Sequence, residues 1–152
     1  MQSLKKDALS IVGISTRTSN GTGKAEIDIP NLWTQFMSKG IMESIPNKLN
    51  DVIFALYTDY ESDHTGEYSV ILGCQVSTLD AIPEELTVKF VPKSNYQKFT
   101  AKGDLTKDAV FNTWKEIWNT NLKRTYTTDI EVYGEKAINP KAGEADIFIA
   151  IN

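Results

Sequence analysis

The amino-acid sequence predicts an α+β fold in which duplicated β-α-β-β modules form antiparallel sheets, with two main helices around a central cleft. The 152 residues match the length of one domain, and 41% of them are apolar, which is enough for one continuous core. Runs rich in β-branched residues predict strands, and two other segments place apolar side chains at helical spacing. The order strand, helix, strand, strand occurs twice, at about 8–77 and 86–151. We therefore interpret 1–152 as a single domain with an internal pseudo-two-fold repeat.

The first half opens with a strand and a helix. Ala8–Thr18 is rich in β-branched residues and runs into a cluster of turn formers, Ser19–Gly23, which predicts a strand followed by a loop. From Ile29 onward, apolar residues recur at helical spacing with a first-turn Pro30, which predicts an amphipathic helix. Since the residue before a proline is pushed out of the helical region, this helix should end near Ile45–Pro46.

A hairpin and a further strand region follow the first helix. Asp51–Tyr60 and Glu67–Ser77 read as strands joined by a polar hairpin loop. The second half begins with Leu86–Val91, breaks at Pro92 and resumes as Tyr96–Ala101. Either one interrupted strand or two separate strands would fit this pattern.

The second half closes with a helix and two strands. Apolar residues in 110–122 fall on one helical face, and Asp104 is placed to cap the first turn. The closing strands are predicted at Thr128–Tyr133 and Ala145–Ile151. In the last strand, isoleucines alternate with smaller or polar residues and with one phenylalanine, so both of its faces can be assigned.

Composition excludes several classes of function. A net charge of -4 and a pI near 5.0 have the wrong sign for a protein that neutralises phosphates, so direct nucleic-acid binding is not expected. The single cysteine, Cys74, cannot form an intramolecular disulfide or a thiolate zinc site, which fits a reducing, cytoplasmic setting. No apolar run approaches the ~20 residues of a membrane span. No cofactor or metal is predicted.

Glu131 is the sharpest candidate for a functional residue. It lies inside an apolar strand, on the same side as Tyr133, and the repeat places Ala55 at the equivalent position. In a concave, partly closed site, a carboxylate would attract a cation far more strongly than in water, and aromatic faces would add cation-π attraction. The alternative is that Glu131 lies on a solvated face of the sheet.

The aromatic residues are first of all candidate core, because an aromatic side chain at helical spacing usually packs. Trp33, Phe36 and Trp114 are the exceptions to consider, since they occupy matching faces of the two helices.

The only histidine, His64, sits among turn residues with no suitably spaced nucleophile, so we expect it to be solvated and to form no catalytic triad. The alternating carboxylates of Asp59–Asp63 lack the residues of a calcium loop.

Several segments in a fixed order resemble a known family. They are Arg17–Asn20, Ile29-Pro30-x-Leu32-Trp33-x-x-Phe36, Tyr57–Asp63, Gly66–Tyr68, Gly73 and Ile130–Tyr133. Together they are similar to the integron-cassette effector-binding proteins of the AraC-type effector-binding, or GyrI-like, superfamily. The resemblance spans the chain from about Ile11 to Ile151.

The resemblance implies a pair of modules that enclose a ligand cleft, with the family's acidic residue at Glu131. In multidrug-responsive members this carboxylate meets cationic, lipophilic ligands between aromatic walls. Motif positions match Tyr133, Trp33 and Tyr57, whereas the face argument alone assigns three further ligand-binding residues: Phe36, Trp114 and Tyr96. Regulators of the superfamily carry a separate helix-turn-helix domain. We do not expect such a domain in this sequence, because the duplicated module accounts for nearly all of its residues.

Three functions remain open at this point. The first is a stand-alone effector-binding module for amphipathic or cationic lipophilic ligands, which would sequester the ligand or signal to a separate regulator protein. The second is a small hydrolase that acts on electrophilic molecules with Glu131 and Tyr133. The third is a protein-interaction or inhibitor module, and homodimer formation is left open as well.

Overall fold

The computed structural model describes residues 2–21 and 23–152, so the predicted loop Ser19–Gly23 includes one residue, Thr22, outside the described part. Within these residues, eight strands form a single antiparallel sheet that curls into a half-barrel. The strands are β1 Gln2–Lys6, β2 Leu9–Ser19, β3 Ile53–Thr58, β4 Glu67–Gln75, β5 Thr87–Val91, β6 Ser94–Gly103, β7 Thr128–Tyr133 and β8 Gly143–Ile151. The helices are α1 Ala25–Ser38, α2 Ile41–Ser44 and α3 Ala109–Trp118, and 3-10 turns lie at Glu135–Ala137 and Pro140–Ala142.

The strand order confirms the predicted α+β class. Across the sheet it is β1-β6-β8-β7-β3-β4-β2-β5, so β3 and β7 pair at the centre and each half extends outward from them. Along the chain, β2-α1-β3-β4 is followed by β6-α3-β7-β8. The halves thus join in one continuous sheet instead of meeting as two sheets, because β3 and β7 pair over their full length. The order is the one that a pseudo-two-fold repeat requires, and the repeat itself stays a prediction.

The edge strands come from segments that cross between the halves. β1 precedes β2 in the chain but pairs with β6, and β5 precedes β6 but pairs with β2. The break at Pro92 therefore separates two strands with different partners, which decides between the two readings of this region. The sequence pattern gave no indication of β1.

Both helical predictions need a shift at the start. α1 begins at Ala25, four residues before Ile29, and so contains Pro30 in its interior. It ends at Ser38, not near Ile45 as predicted, because Gly40 adopts a left-handed conformation that interrupts the helix. A short second helix then carries the chain to Ile45, which is extended, as its place before a proline predicts. Asp104 does not cap α3: its carboxylate accepts the backbone N–H of Thr106 at 3.0 Å, in the turn before the helix.

Apolar side chains are buried on both faces of the sheet. One cluster, which includes Leu72 and Ile147, lies under α1 and α3, and the other, which includes Leu56 and Phe148, lies on the opposite face. The buried residues of this second cluster all belong to strands, from β2 to β8. None of the described helices is long and apolar enough to cross a bilayer.

Candidate functional site

A cavity of about 1320 Å³ lies between α1, α3 and the central strands β3 and β7. This volume exceeds the roughly 300–1,000 Å³ of typical small-molecule pockets. Five of the seven residues that the sequence analysis selected line the cavity: Glu131, Tyr133, Trp33, Tyr57 and Trp114. The predicted cleft is therefore present, and its walls carry both an acidic group and aromatic rings.

The carboxylate of Glu131 is buried and accepts three hydrogen bonds. Its exposure is 1%, which excludes the alternative of a solvated face. One oxygen, Oε1, accepts the Tyr133 hydroxyl at 2.7 Å. The other, Oε2, accepts the Tyr57 hydroxyl at 3.0 Å and the Trp114 Nε1–H at 2.6 Å. All three donors are neutral, and no ion pair joins Glu131 to a cationic side chain in the described part of the chain.

Burial is the largest influence on the pKa of Glu131. It raises the pKa of Glu131 above the usual range of a glutamate, and the hydrogen bonds from Trp114, Tyr133 and Tyr57 oppose this shift only in part. Burial and the nearby carboxylate together raise the pKa of Tyr57 and of Tyr133 well above that of a free tyrosine. Both phenols therefore remain protonated donors, and their hydrogen bonds favour the ionised form of the Glu131 carboxylate while burial disfavours it.

The register of the two central strands explains why Glu131 fits here. It lies directly across from Ala55, whose single methyl group leaves space for the longer carboxylate side chain. Side chains two residues apart on a strand share a face, so Tyr57 on β3 and Tyr133 on β7 flank this pair on the cavity side. The two tyrosines thus occupy corresponding positions on the two strands and donate to the same carboxylate.

Two pairs of aromatic rings flank Glu131 in a similar arrangement. Trp33 of α1 packs edge-to-face on Tyr133, with ring centroids 5.0 Å apart at 81°. Trp114 of α3 packs on Tyr57, with centroids 5.2 Å apart at 62°. Each helix therefore places its tryptophan on the tyrosine of the other half, and the carboxylate lies between the two pairs.

Two of the proposed residues lie elsewhere. Phe36 is 1% exposed and belongs to the core between α1 and the sheet, one turn after Trp33. Tyr96 lies on the opposite face of the sheet, where its ring packs on Phe148 at 6.3 Å. Neither lines the cavity. The sequence analysis selected both residues because it could not separate neighbouring positions on a helix, or the two faces of a strand whose register was unknown.

A second buried carboxylate escaped the sequence analysis. Asp129 is fully buried two residues before Glu131 and accepts the Tyr60 hydroxyl at 2.6 Å, an Arg124 N–H at 2.8 Å and the Ala150 backbone N–H at 2.8 Å. Burial raises the pKa of Asp129, and Arg124 is the strongest opposing influence. The alternation that selected Glu131 and Tyr133 also includes Asp129, so the signal was present.

Other cavity residues were also missed. His64 is half-buried and lines the cavity, so the expectation that it is solvated is wrong. The rings of Tyr68, Trp118 and Phe111 complete the aromatic walls. Among the residues that the structure describes, no group of three or more histidine, cysteine or acidic side chains could hold a metal ion.

Comparison with known proteins gives a consistent assignment. The family model of Cass2, described as an integron-associated effector binding protein, matches residues 4–151. YobU of Bacillus subtilis (strain 168), which is named as a transcriptional regulator, is 32% identical over 149 residues that make up 95% of this chain and 93% of YobU. These matches confirm the resemblance that the order of the motifs indicated.

Solved structures agree with the fold. The integron cassette protein VCH_CASS2, from the mobile metagenome of Vibrio cholerae, has a TM-score of 0.76 at 30% identity, over 99% of this chain and 95% of that one. The structure of SAV2435 bound to tetraphenylphosphonium has a TM-score of 0.80 at 20% identity, over 99% of this chain and 93% of that one. The second likeness concerns the fold alone.

Proposed function

We propose that this chain, which belongs to the integron-associated effector-binding proteins, binds lipophilic monocations in its cavity, with Glu131 as the counter-ion. The observation that carries the proposal is a carboxylate that is 1% exposed and held by three neutral donors, without a cationic partner among the described side chains. A buried charge of this kind is costly, and a cation that enters the cavity reduces the cost.

Charge and aromatic surface would act together on such a ligand. At an effective dielectric constant of about 20, a charge centre about 5.5 Å from the carboxylate gains roughly 3 kcal/mol. The faces of Trp33 and Tyr57 each add about 0.5–2 kcal/mol of cation-π attraction where the cation reaches them. Burial of apolar groups against the same walls supplies further affinity, so a ligand with both an apolar body and one positive charge fits best.

Two relatives support the proposal. SAV2435 shares the fold, and its solved complex contains tetraphenylphosphonium, a cation with four apolar rings. YobU is named as a transcriptional regulator, which favours a role in a response to the ligand. We infer that the chain either sequesters the cation or passes the ligand signal to a separate regulator protein, since its acidic net charge does not suit direct contact with nucleic acid.

Calorimetric titration with ligands of similar shape and different charge tests this function. Tetraphenylphosphonium should bind with one ligand per chain, neutral triphenylphosphine oxide should bind much more weakly, and the tetraphenylborate anion should not bind. Equal affinities for the three compounds would refute the role of the charge. Chromatography of the released ligand extends the test to the hydrolase alternative: an electrophilic cation recovered unchanged supports binding, and a hydrolysed one supports catalysis.

A further inference from the structure

A second polar region lies at the other end of the cavity. Arg124, Tyr60 and His64 line the same cavity as Glu131. Contacting aromatic rings connect the two ends: Tyr57 to Tyr68 at 6.0 Å, Tyr68 to Tyr60 at 5.6 Å and Tyr60 to Tyr126 at 5.6 Å. Tyr57, Tyr68 and Tyr60 line the cavity, whereas Tyr126 does not, so the aromatic wall runs from the Glu131 carboxylate to Tyr60. Arg124 also lines the cavity and donates to the same Asp129 oxygen as Tyr60, so one ligand can lie along the wall between Glu131 and Arg124.

The charges at this second end are already balanced. Arg124 and Asp129 form an ion pair at 2.8 Å, with side-chain exposures of 7% and 0%. Because Asp129 is paired, it is not a second counter-ion for a cation. Because Arg124 is paired, a ligand carboxylate placed there would lie near Asp129 with only one cationic group for two anions.

Arg124 nevertheless has hydrogen-bond donors to spare. A guanidinium carries five N–H groups, and Asp129 accepts one of them. The ring of Tyr126 covers the group at 4.4 Å, and the buried Nε has no acceptor among the described residues. The buried Nδ1 of His64, on the same stretch of wall, is likewise without a partner in the described part of the chain. These two atoms are themselves closed off from the cavity, so the donors that a ligand can reach are the remaining N–H groups of the Arg124 guanidinium, which lines the cavity. A ligand oxygen that accepts from them adds a hydrogen bond that Asp129 leaves unmade.

We propose that the Arg124 end of the cavity binds a neutral oxygen acceptor of the ligand, such as a carbonyl, ether or hydroxyl oxygen. This inference rests on the proposed function, in which the cationic group of the same ligand lies at Glu131. Asp129 and Glu131 are two residues apart on one strand, a separation of roughly 6.6 Å at ~3.3 Å per residue. The Arg124 donor lies a further 2.8 Å from Asp129. The preferred ligand is thus a lipophilic monocation with an oxygen acceptor roughly 7–10 Å from its charge.

Three triphenylphosphonium probes test the proposal by calorimetry. Heptyltriphenylphosphonium has no acceptor, its 6-oxoheptyl derivative has a carbonyl at the required distance, and the 4-oxoheptyl isomer keeps the permanent charge but has the same carbonyl closer to it than the site requires. The 6-oxo compound should bind roughly ten-fold tighter than the heptyl compound, because the hydrogen bond is donated by a charged group. The 4-oxo isomer should show a smaller gain or none, and this ligand-side control requires no protein variant.

A variant assigns the gain to Arg124. In Arg124→Lys the positive charge beside Asp129 is kept, but the planar set of guanidinium N–H donors is lost. The ratio of the 6-oxo and heptyl affinities should therefore fall toward one. In Glu131→Gln both affinities should fall while their ratio stays near ten. Binding of heptyl and 6-oxo compounds with equal affinity to the wild type would overturn the acceptor site and leave the cation site intact. Failure of the wild type to bind either probe would overturn both proposals.

Discussion

Replacement of Glu131 by glutamine separates the charge of the cavity from its shape. The amide is nearly isosteric, its oxygen can still accept the Trp114 N–H, and its NH₂ group can donate to a tyrosine oxygen. The fold should therefore persist while the negative charge disappears. Glu144→Gln is the matched control, because Glu144 pairs with Lys102 and Lys136 on the surface, outside the cavity.

The size of the effect follows from the charge separation. If roughly 3 kcal/mol of attraction is lost at about 5.5 Å and an effective dielectric constant of about 20, affinity for tetraphenylphosphonium falls about 100-fold. Affinity for triphenylphosphine oxide should change little, since it carries no net charge. The control variant should bind both compounds as the wild type does.

Calorimetry measures these affinities, and thermal unfolding gives an independent check. A ligand at 100 times its Kd stabilises the protein by about 2.7 kcal/mol, which raises the Tm of a domain of this size by roughly 5–11 °C. Wild type and control should show this shift with the cation, and Glu131→Gln should show most of it lost at the same ligand concentration. A variant that keeps the wild-type preference for the cation over the neutral compound would refute the counter-ion argument.

Three further outcomes follow from the same contacts. Because the pKa of Glu131 is raised in the folded state, its contribution to stability is present below the unfolded pKa of 4.5 and is lost as pH rises through the folded pKa. The Tm of unliganded Glu131→Gln should therefore exceed that of the wild type, and the difference should widen as pH rises from 4.5 through the folded pKa. Cation affinity should fall, up to ten-fold per pH unit, as acidification protonates Glu131, and a titration series across this range measures it. Arg124→Met should destabilise the fold by about 3–5 kcal/mol by leaving Asp129 unpaired, and a second change, Asp129→Asn, should restore part of the stability in urea unfolding, because the amide removes the charge while its oxygen still accepts the Ala150 N–H.

The sequence allowed the fold to be predicted where periodic patterns are strong. β7 was located at its observed bounds, and the assignment of the two faces of β8 agrees with the two apolar clusters. The start of α1 was missed because the first turn places only the small Ala25 on the buried face, whereas its larger apolar residue, Ile27, is exposed. β1 was missed because Gln2–Lys6 is short and mostly polar, and its position depends on pairing with β6, which is distant in the sequence.

The site was predictable as far as patterns within single strands and helices, and the order of the motifs, define it. Alternation within Thr128–Tyr133 placed Glu131 and Tyr133 on one side, and the structure adds that this side faces the cavity. The Arg124–Asp129 pair depends on how the segment before β7 folds back, and the position of Tyr96 depends on the register of β6. Such relations are tertiary, so periodicity in the sequence does not contain them.

The interpretation of the chain as a repeat has its own test in the centre of the sheet. Glu131 and Ala55 face each other across β7 and β3, and the tyrosines and tryptophans around them are arranged alike on both sides. If the halves are equivalent, the double variant Ala55→Glu/Glu131→Ala moves the carboxylate to the corresponding position in the other half without changing the amino-acid composition of the protein. Both tyrosines remain within the cavity wall, and Trp33 takes the place that Trp114 has now.

The double variant should therefore regain part of the tetraphenylphosphonium affinity that Glu131→Ala alone loses, and a cooperative unfolding transition shows that both variants are folded. The single carboxylate matters for this argument, because two facing carboxylates would repel each other and one would take up a proton. Ala55→Glu on its own should then add no second cation per chain. A folded double variant that binds no more tightly than Glu131→Ala would show that the two halves are not interchangeable around the charge.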